Sequence, residues 1–305
     1  MSHAVRFRRD SQTAFSKAFY PLGECHQRWQ VWADFIVVSA ISLAAPFDPP
    51  DTEKWKARDA EFKSIMERYT EAERRAFVEL LRIMMQALEE EPEQDFLGEM
   101  FMMLELSNHW KGQFFTPYNV CRMMVEMTMQ DVEAHIERKG WVGICDPACG
   151  AGALLVAARN YLQAHPCGKL LGHQQTLFVA QDIDRVAALM CYLQLSLLGC
   201  AGYVVVGNTI TNPTVGLGNN PVLPIETEGQ DIWCMPLFHD QIWVWRQTFA
   251  RMEYLVGSAP AAPILNTPAA NEAEEAAVEP PSEPIAAKIE PEALNTTETG
   301  QLTLF

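Results

Sequence analysis

The chain has 305 residues, 49% of them apolar and 20% charged, enough for one large domain or two smaller ones with a true core. There are 39 acids against 23 bases, a net charge of −16. A free-standing nucleic-acid binder carries a basic surplus for phosphate contacts, so that class requires a local patch or a partner here.

None of the eight cysteines forms a CxxC pair and the seven histidines form no spaced ligand set, so the reading is no metal site and no redox motif. No N-terminal secretory signal is visible. The longest apolar run, Phe35 to Ala45, is far short of the roughly 20 residues of a spanning helix. The expectation is a cytoplasmic protein with free thiols and no membrane partner.

Residues 1–110 read as a helical N-terminal domain. Arg28 to Ala44 is densely apolar without Gly or Pro, and Pro46, Pro49 and Pro50 break the chain after it. Asp51 to Tyr69 carries Trp55, Phe62, Ile65 and Met66 at helical spacing. Thr70-Glu71-Ala72-Glu73 is a capping box, opening a helix whose stripe is Phe77, Leu80, Leu81, Met84, Met85 and Leu88. A further helix is expected from Glu93 to about Ser107.

Over residues 111–256 short apolar runs end at Gly or Asp and alternate with helical segments. Strands are expected at Trp141–Cys145, Leu177–Ala180 and Tyr203–Val206, with helices at Ala153–Gln163 and Arg185–Leu198 between them. That alternation predicts a parallel α/β sheet. A last helix runs from Gln241 to about Leu255, where Trp243, Trp245 and Phe249 are core or interface residues. Residues 257–300 hold seven prolines, eleven alanines and eight acids against Lys288, with no aromatic residue, and read as a disordered acidic linker. Residues 301–305 then restore large apolar side chains at Leu302, Leu304 and Phe305.

Asp146-Pro147-Ala148-Cys149-Gly150-Ala151-Gly152 follows the first strand directly. Gly150 and Gly152 allow a tight turn and close backbone approach to a ligand, and the helix N-terminus behind them offers its amides. At the end of the next strand, Asp182 and Asp184 are placed to bind the ribose of a nucleoside cofactor; Asp184 can alternatively cap the following helix. After the third strand, Asn208 can bond an adenine edge.

With Gly112-Gln113-Phe114-Phe115-Thr116-Pro117 ahead of them, and Asp95 to Met100 as a lead-in, these motifs resemble the adenine-specific (N6) DNA methyltransferases. The likeness spans roughly residues 95 to 213 and is nearest to the methylation subunits of type I restriction-modification systems. It implies a Rossmann-like S-adenosylmethionine-dependent sheet, and S-adenosylmethionine as cofactor. Phe115, Thr116 and Pro117 would lie against it, Asp146, Gly150 and Gly152 around its methionine part, Asp182 on the ribose and Asn208 on the adenine. The family usually has Asp where Asn208 stands.

The family's Asn/Asp-Pro-Pro-aromatic tetrapeptide, which accepts hydrogen bonds from the adenine amine and stacks on the flipped base, is missing. The nearest positional match is Met235, Pro236 and Phe238 after a strand-like lead-in; Asn220-Pro221 is weaker. Pro166-Cys167 recurs in cytosine methyltransferases but stands in a loop after the first helix, the wrong place. With few strands after Phe238, the sheet reads as truncated.

Gln301, Leu302, Leu304 and Phe305 resemble the bacterial sliding-clamp binding peptide, three apolar anchors and one polar locator at the end of a tether. The expected partners are therefore DNA, reached indirectly, the clamp, and a specificity or restriction subunit. The alternative is a catalytically inactive adaptor linking the clamp to a restriction, repair or replication partner.

Overall fold

The computed structural model describes residues 8–106, 115–165 and 172–257, together with the backbone of 301–303. The 257–300 linker apart from Gly257, the Gly112–Phe114 portion of the first motif, Pro166-Cys167, and Leu304 and Phe305 lie outside the described residues.

Among the described residues the chain opens with six helices, α1 (Asp10–Phe19), α2 (Leu22–Cys25), α3 (Arg28–Ala44), α4 (Glu53–Met66), α5 (Glu71–Glu90) and α6 (Phe96–Met103). The α3 helix is apolar all round and is correspondingly buried on nearly every side, from Val31 to Ala44. Thr70 and Glu73 form the expected reciprocal cap of α5, each side chain taking the other's backbone N–H. Asp95 caps α6 by accepting from Gly98 N at 3.0 Å.

Two helices, α7 (Tyr118–Thr128) and α8 (Val132–Lys139), lead into β1 (Val142–Asp146). The chain continues through α9 (Ala153–Ala164), α10 (Gly172–Gln175), β2 (Thr176–Asp182), α11 (Arg185–Leu197) and β3 (Ala201–Val206). A small two-stranded excursion, β4 (Val215–Gly216) with β5 (Pro224–Ile225), precedes β6 (Asp231–Cys234), α12 (Gln241–Gly257) and β7 (Gln301–Thr303).

The main sheet has the order β6-β3-β2-β1-β7. β1, β2, β3 and β7 are parallel, and β6 enters antiparallel beside β3, with Asp231 opposite Val206 and Cys234 opposite Tyr203. The tail segment expected as a free peptide is thus, over Gln301–Thr303, a strand on β1, with Thr303 opposite Cys145.

Side-chain alternation divides the sheet into two faces. Phe178, Ala180 and Val204 join the large core formed by α9, α11 and the N-terminal helices. Leu177, Val179, Tyr203 and Val205 point the other way, onto Phe238 and Trp243. The α11 helix is buried from Ala187 through Leu195, because the sheet covers one side and α3 the other. The N-terminal helices and the sheet share one continuous set of buried residues.

Candidate functional site

A cavity of about 380 Å³ opens at the carboxyl ends of β1 and β2. In an open parallel sheet that is where ligands bind. Phe115, Thr116, Asp146, Gly150 and Asp182 line it, joined by Cys121 and Met124 of α7 and Leu154 of α9.

The turn after β1 is built from backbone and carboxylates. Asp146 Oδ1 accepts from Ala148 N at 3.0 Å, and Cys149 N donates to Gln181 O at 3.0 Å. Gly150 N donates to Asp182 Oδ2 at 2.8 Å, so the carboxylate at the end of β2 holds the glycine turn of β1. Gly150 and Gly152 have φ of +53° and +92°, a region L-residues avoid. A Cβ on Gly152 would stand 2.7 Å from Cys191 Sγ; one on Gly150 would stand 3.1 Å from the Phe115 ring. Gly152 therefore packs against α11 beneath the cavity and does not line it.

Asp184 takes the capping alternative, accepting from Ala187 N at 3.0 Å, which leaves Asp182 as the cavity acid. Pro117 opens α7 and lies outside the cavity wall. Asn208 is also outside it; its side-chain oxygen accepts from Ile210 N and Thr211 N in a turn after β3. Its neighbour Thr209, not singled out by sequence, donates to Pro147 O at 2.5 Å and ties this loop to the β1 turn.

Asp146 is 4% exposed. Burial, together with the neighbouring Asp182 charge, pushes its carboxyl up to about 6, against the pull of Ala148 N–H. Burial also raises Asp182, against bonds from Asp184 N and Gly150 N. Two acids facing one cavity with spare acceptor capacity suit a ligand that brings positive charge and hydroxyl donors. The Cys149 thiol is held well above its ordinary pKa by its Cys191 partner and by burial, so it stays neutral and is no nucleophile.

The turn is fastened from below by a buried polar group that the sequence did not reveal. Gln194 of α11 donates through Nε2 to Ala151 O and to Asp95 Oδ1, both at 2.8 Å, and accepts from Leu97 N at 3.1 Å. Asp95 and Gln194 are 3% and 0% exposed. The N-terminal helices thereby reach the glycine turn itself.

Met235, Pro236 and Phe238 are not brought to the cavity. Because β6 runs antiparallel, its carboxyl end points to the amino end of β3, and Met235 N donates to Gly202 O at 2.9 Å. Met235 and Phe238 are buried, with Phe238 against Tyr203 and Trp243 on the opposite face. The nearest positional match to the family tetrapeptide thus stands away from the cavity. Asn220 and Pro221 fare no better: Asn220 Oδ1 accepts from Val222 N, and Pro221 O accepts from Tyr203 Oη. Neither lines the cavity.

Residues 93–260 match the N-6 DNA methylase family, more than half of the chain. The chain belongs to that family. The cofactor of these methylases is S-adenosylmethionine. Among curated proteins, none matches. A solved structure from Listeria monocytogenes, assigned as a class I S-adenosylmethionine-dependent methyltransferase, is similar at 15% identity with a TM-score of 0.34. The match covers 64% of this methylase-family chain and 51% of that one, so the chain spans about half of its length. No helix among the described residues is long and apolar enough to cross a membrane, and no group of three or more His, Cys, Asp and Glu among them could hold a metal ion.

Proposed function

We propose that the cavity at the ends of β1 and β2 binds S-adenosylmethionine and that the chain serves N6 methylation of adenine in DNA. The observation that carries this reading is the buried Asp146 and half-buried Asp182 braced on one glycine turn, within the family match. Asp146 would hold the methionine part, Asp182 the ribose, and Phe115 and Thr116 would close over the bound cofactor. Pro117 and Gly152 act by shaping α7 and the turn, and Asn208 by ordering the loop that would meet the adenine ring. When bound, the cofactor supplies an electrophilic methyl group on a sulfonium.

The groups that accept hydrogen bonds from the adenine amine come from a partner, a specificity or restriction subunit that also presents the DNA. The placement of Met235 to Phe238 at the far end of the sheet favours this division. It also supports a second reading, an adaptor that keeps the fold without the chemistry. In both, release of Gln301–Thr303 from β1 would let Gln301, Leu302, Leu304 and Phe305 recruit the chain to a sliding clamp.

Calorimetric titration of S-adenosylmethionine into the full chain tests the proposal, with Asp146→Ala and Asp182→Asn alongside. Binding that is lost in both variants is the expected result. Absence of binding to the natural chain would refute it. Methyl transfer to DNA only on adding the partner would separate the enzyme from the adaptor. Clamp pull-down that survives deletion of 301–305 would remove the recruitment step.

A further inference from the structure

The α12 helix is apolar on two opposite sides. Trp243 and Ala250 are buried against the body. On the other side Val244, Trp245, Phe249, Met252, Leu255 and Val256 are between 47% and 77% exposed. At 3.6 residues per turn these six fill one continuous arc of about 140°, centred opposite Trp243 and Ala250. Between Val244 and Val256 the one polar residue in the arc, Thr248, turns its hydroxyl onto Val244 O at 2.8 Å. From Arg251 to Gly257 every residue is exposed, with the Tyr254 ring, on the side away from the arc, lying over Gly218.

A surface helix ordinarily shows water a polar face. With fully exposed aromatic side chains contributing roughly 150–250 Å² each, the arc amounts to about 600 Å² of apolar surface. That is the upper end of what a typical monomer exposes and approaches the ~800 Å² per partner of a standard interface. The composition agrees: α12 carries two Trp, Phe, Tyr, Met and two Arg, no Lys and the single acid Glu253. Interface cores are enriched in the former and depleted of Lys and Glu.

Charge indicates the occupant. Arg251 borders the arc on one side and Glu253 on the other, about 3 Å apart along the axis. Two copies of this helix laid parallel bring opposite borders together, Arg251 of each beside Glu253 of the other. An antiparallel pair would oppose like charges. Flanking charges of this kind set orientation in helix pairs. The same patch on both subunits is what a two-fold dimer needs.

We propose that α12 pairs side by side and parallel with α12 of a second copy of this chain. This does not depend on the cofactor reading.

Sedimentation equilibrium of the full chain tests it, with circular dichroism to check folding. The expected result is a dimer at micromolar concentration, with Phe249→Lys raising the dissociation constant at least about tenfold, as loss of an anchor does. Arg251→Glu should weaken the dimer and Arg251→Glu with Glu253→Arg restore it. A chain that stays monomeric at tens of micromolar overturns the proposal, whatever else binds α12. So does a dimer indifferent to Phe249→Lys. Failure of the double reversal to restore pairing overturns the parallel arrangement.

Discussion

Replacing Gln194 by Leu keeps the volume of the side chain and removes its polar end. Three bonds go: two to neutral backbone groups, Ala151 O and Leu97 N, and one to the Asp95 carboxyl. All three partners are buried, so none is rehydrated. Orphaning a buried neutral group costs about 1–3 kcal/mol, and bonds to charged groups contribute about 1.5–3 kcal/mol, so a loss of at least roughly 4 kcal/mol is expected near neutral pH.

The effect carries a sign in pH. Burial raises the Asp95 carboxyl to about 6, while the Gln194 and Gly98 donors pull it down. A raised acid is penalised when ionised, so its cost to the fold is absent at low pH, grows from about pH 4 to pH 6 and is constant above. Losing Gln194 lifts the carboxyl further. The variant should therefore lose about 1–2 kcal/mol less near pH 5, where Asp95 is protonated, than near pH 7.5. Urea unfolding of both proteins at the two pH values measures it. A loss below about 1 kcal/mol near neutral pH, or equal losses at both, would refute the assignment of Gln194 as the fastener of the turn.

Three further outcomes follow from the same geometry. Gly152→Ala combines a left-handed φ with a Cβ 2.7 Å from Cys191 Sγ and 3.2 Å from its Cα, and should cost about 2–4 kcal/mol in urea unfolding. Arg58→Met removes a guanidinium bonded to Asp48, Asp231 and Ile232 O and stacked 3.5 Å from the Trp233 ring; with both acids partly solvated, about 2–3 kcal/mol is expected in thermal unfolding. Only ionised Asp146 attracts a cationic ligand, so cofactor affinity should fall below about pH 6 by up to tenfold per pH unit, and Asp146→Asn should flatten that profile in calorimetry.

Much of the α/β unit was legible because its signals are local. The three strands and two helices from Trp141 to Val206 lie within two residues of where apolar runs and Gly or Asp punctuation place them. The expected limits of α3 coincide with the observed Arg28–Ala44. Strand direction is not a local property: Asp231–Cys234 reads as a strand either way, and only its pairing with β3 shows that Met235 leaves at the wrong end. Gln194 sits in an apolar helix with no spacing to mark it, and its importance arises from Asp95, a residue 99 positions away. Sequence alone does not divide the aromatic residues of α12 between core and interface; Trp243 is core, and Trp245 and Phe249 are exposed.

The shared core has a consequence for how this chain is divided. Homology begins at residue 93, yet α11 is enclosed by α3, which precedes that point by some fifty residues. A fragment cut at the homology boundary would strip the α3 wall from α11, a helix buried from Ala187 through Leu195. The unit inherited with the methylase family is thus smaller than the unit that can fold. In this chain the helices ahead of the match are the inner wall of the methylase fold, inseparable from it.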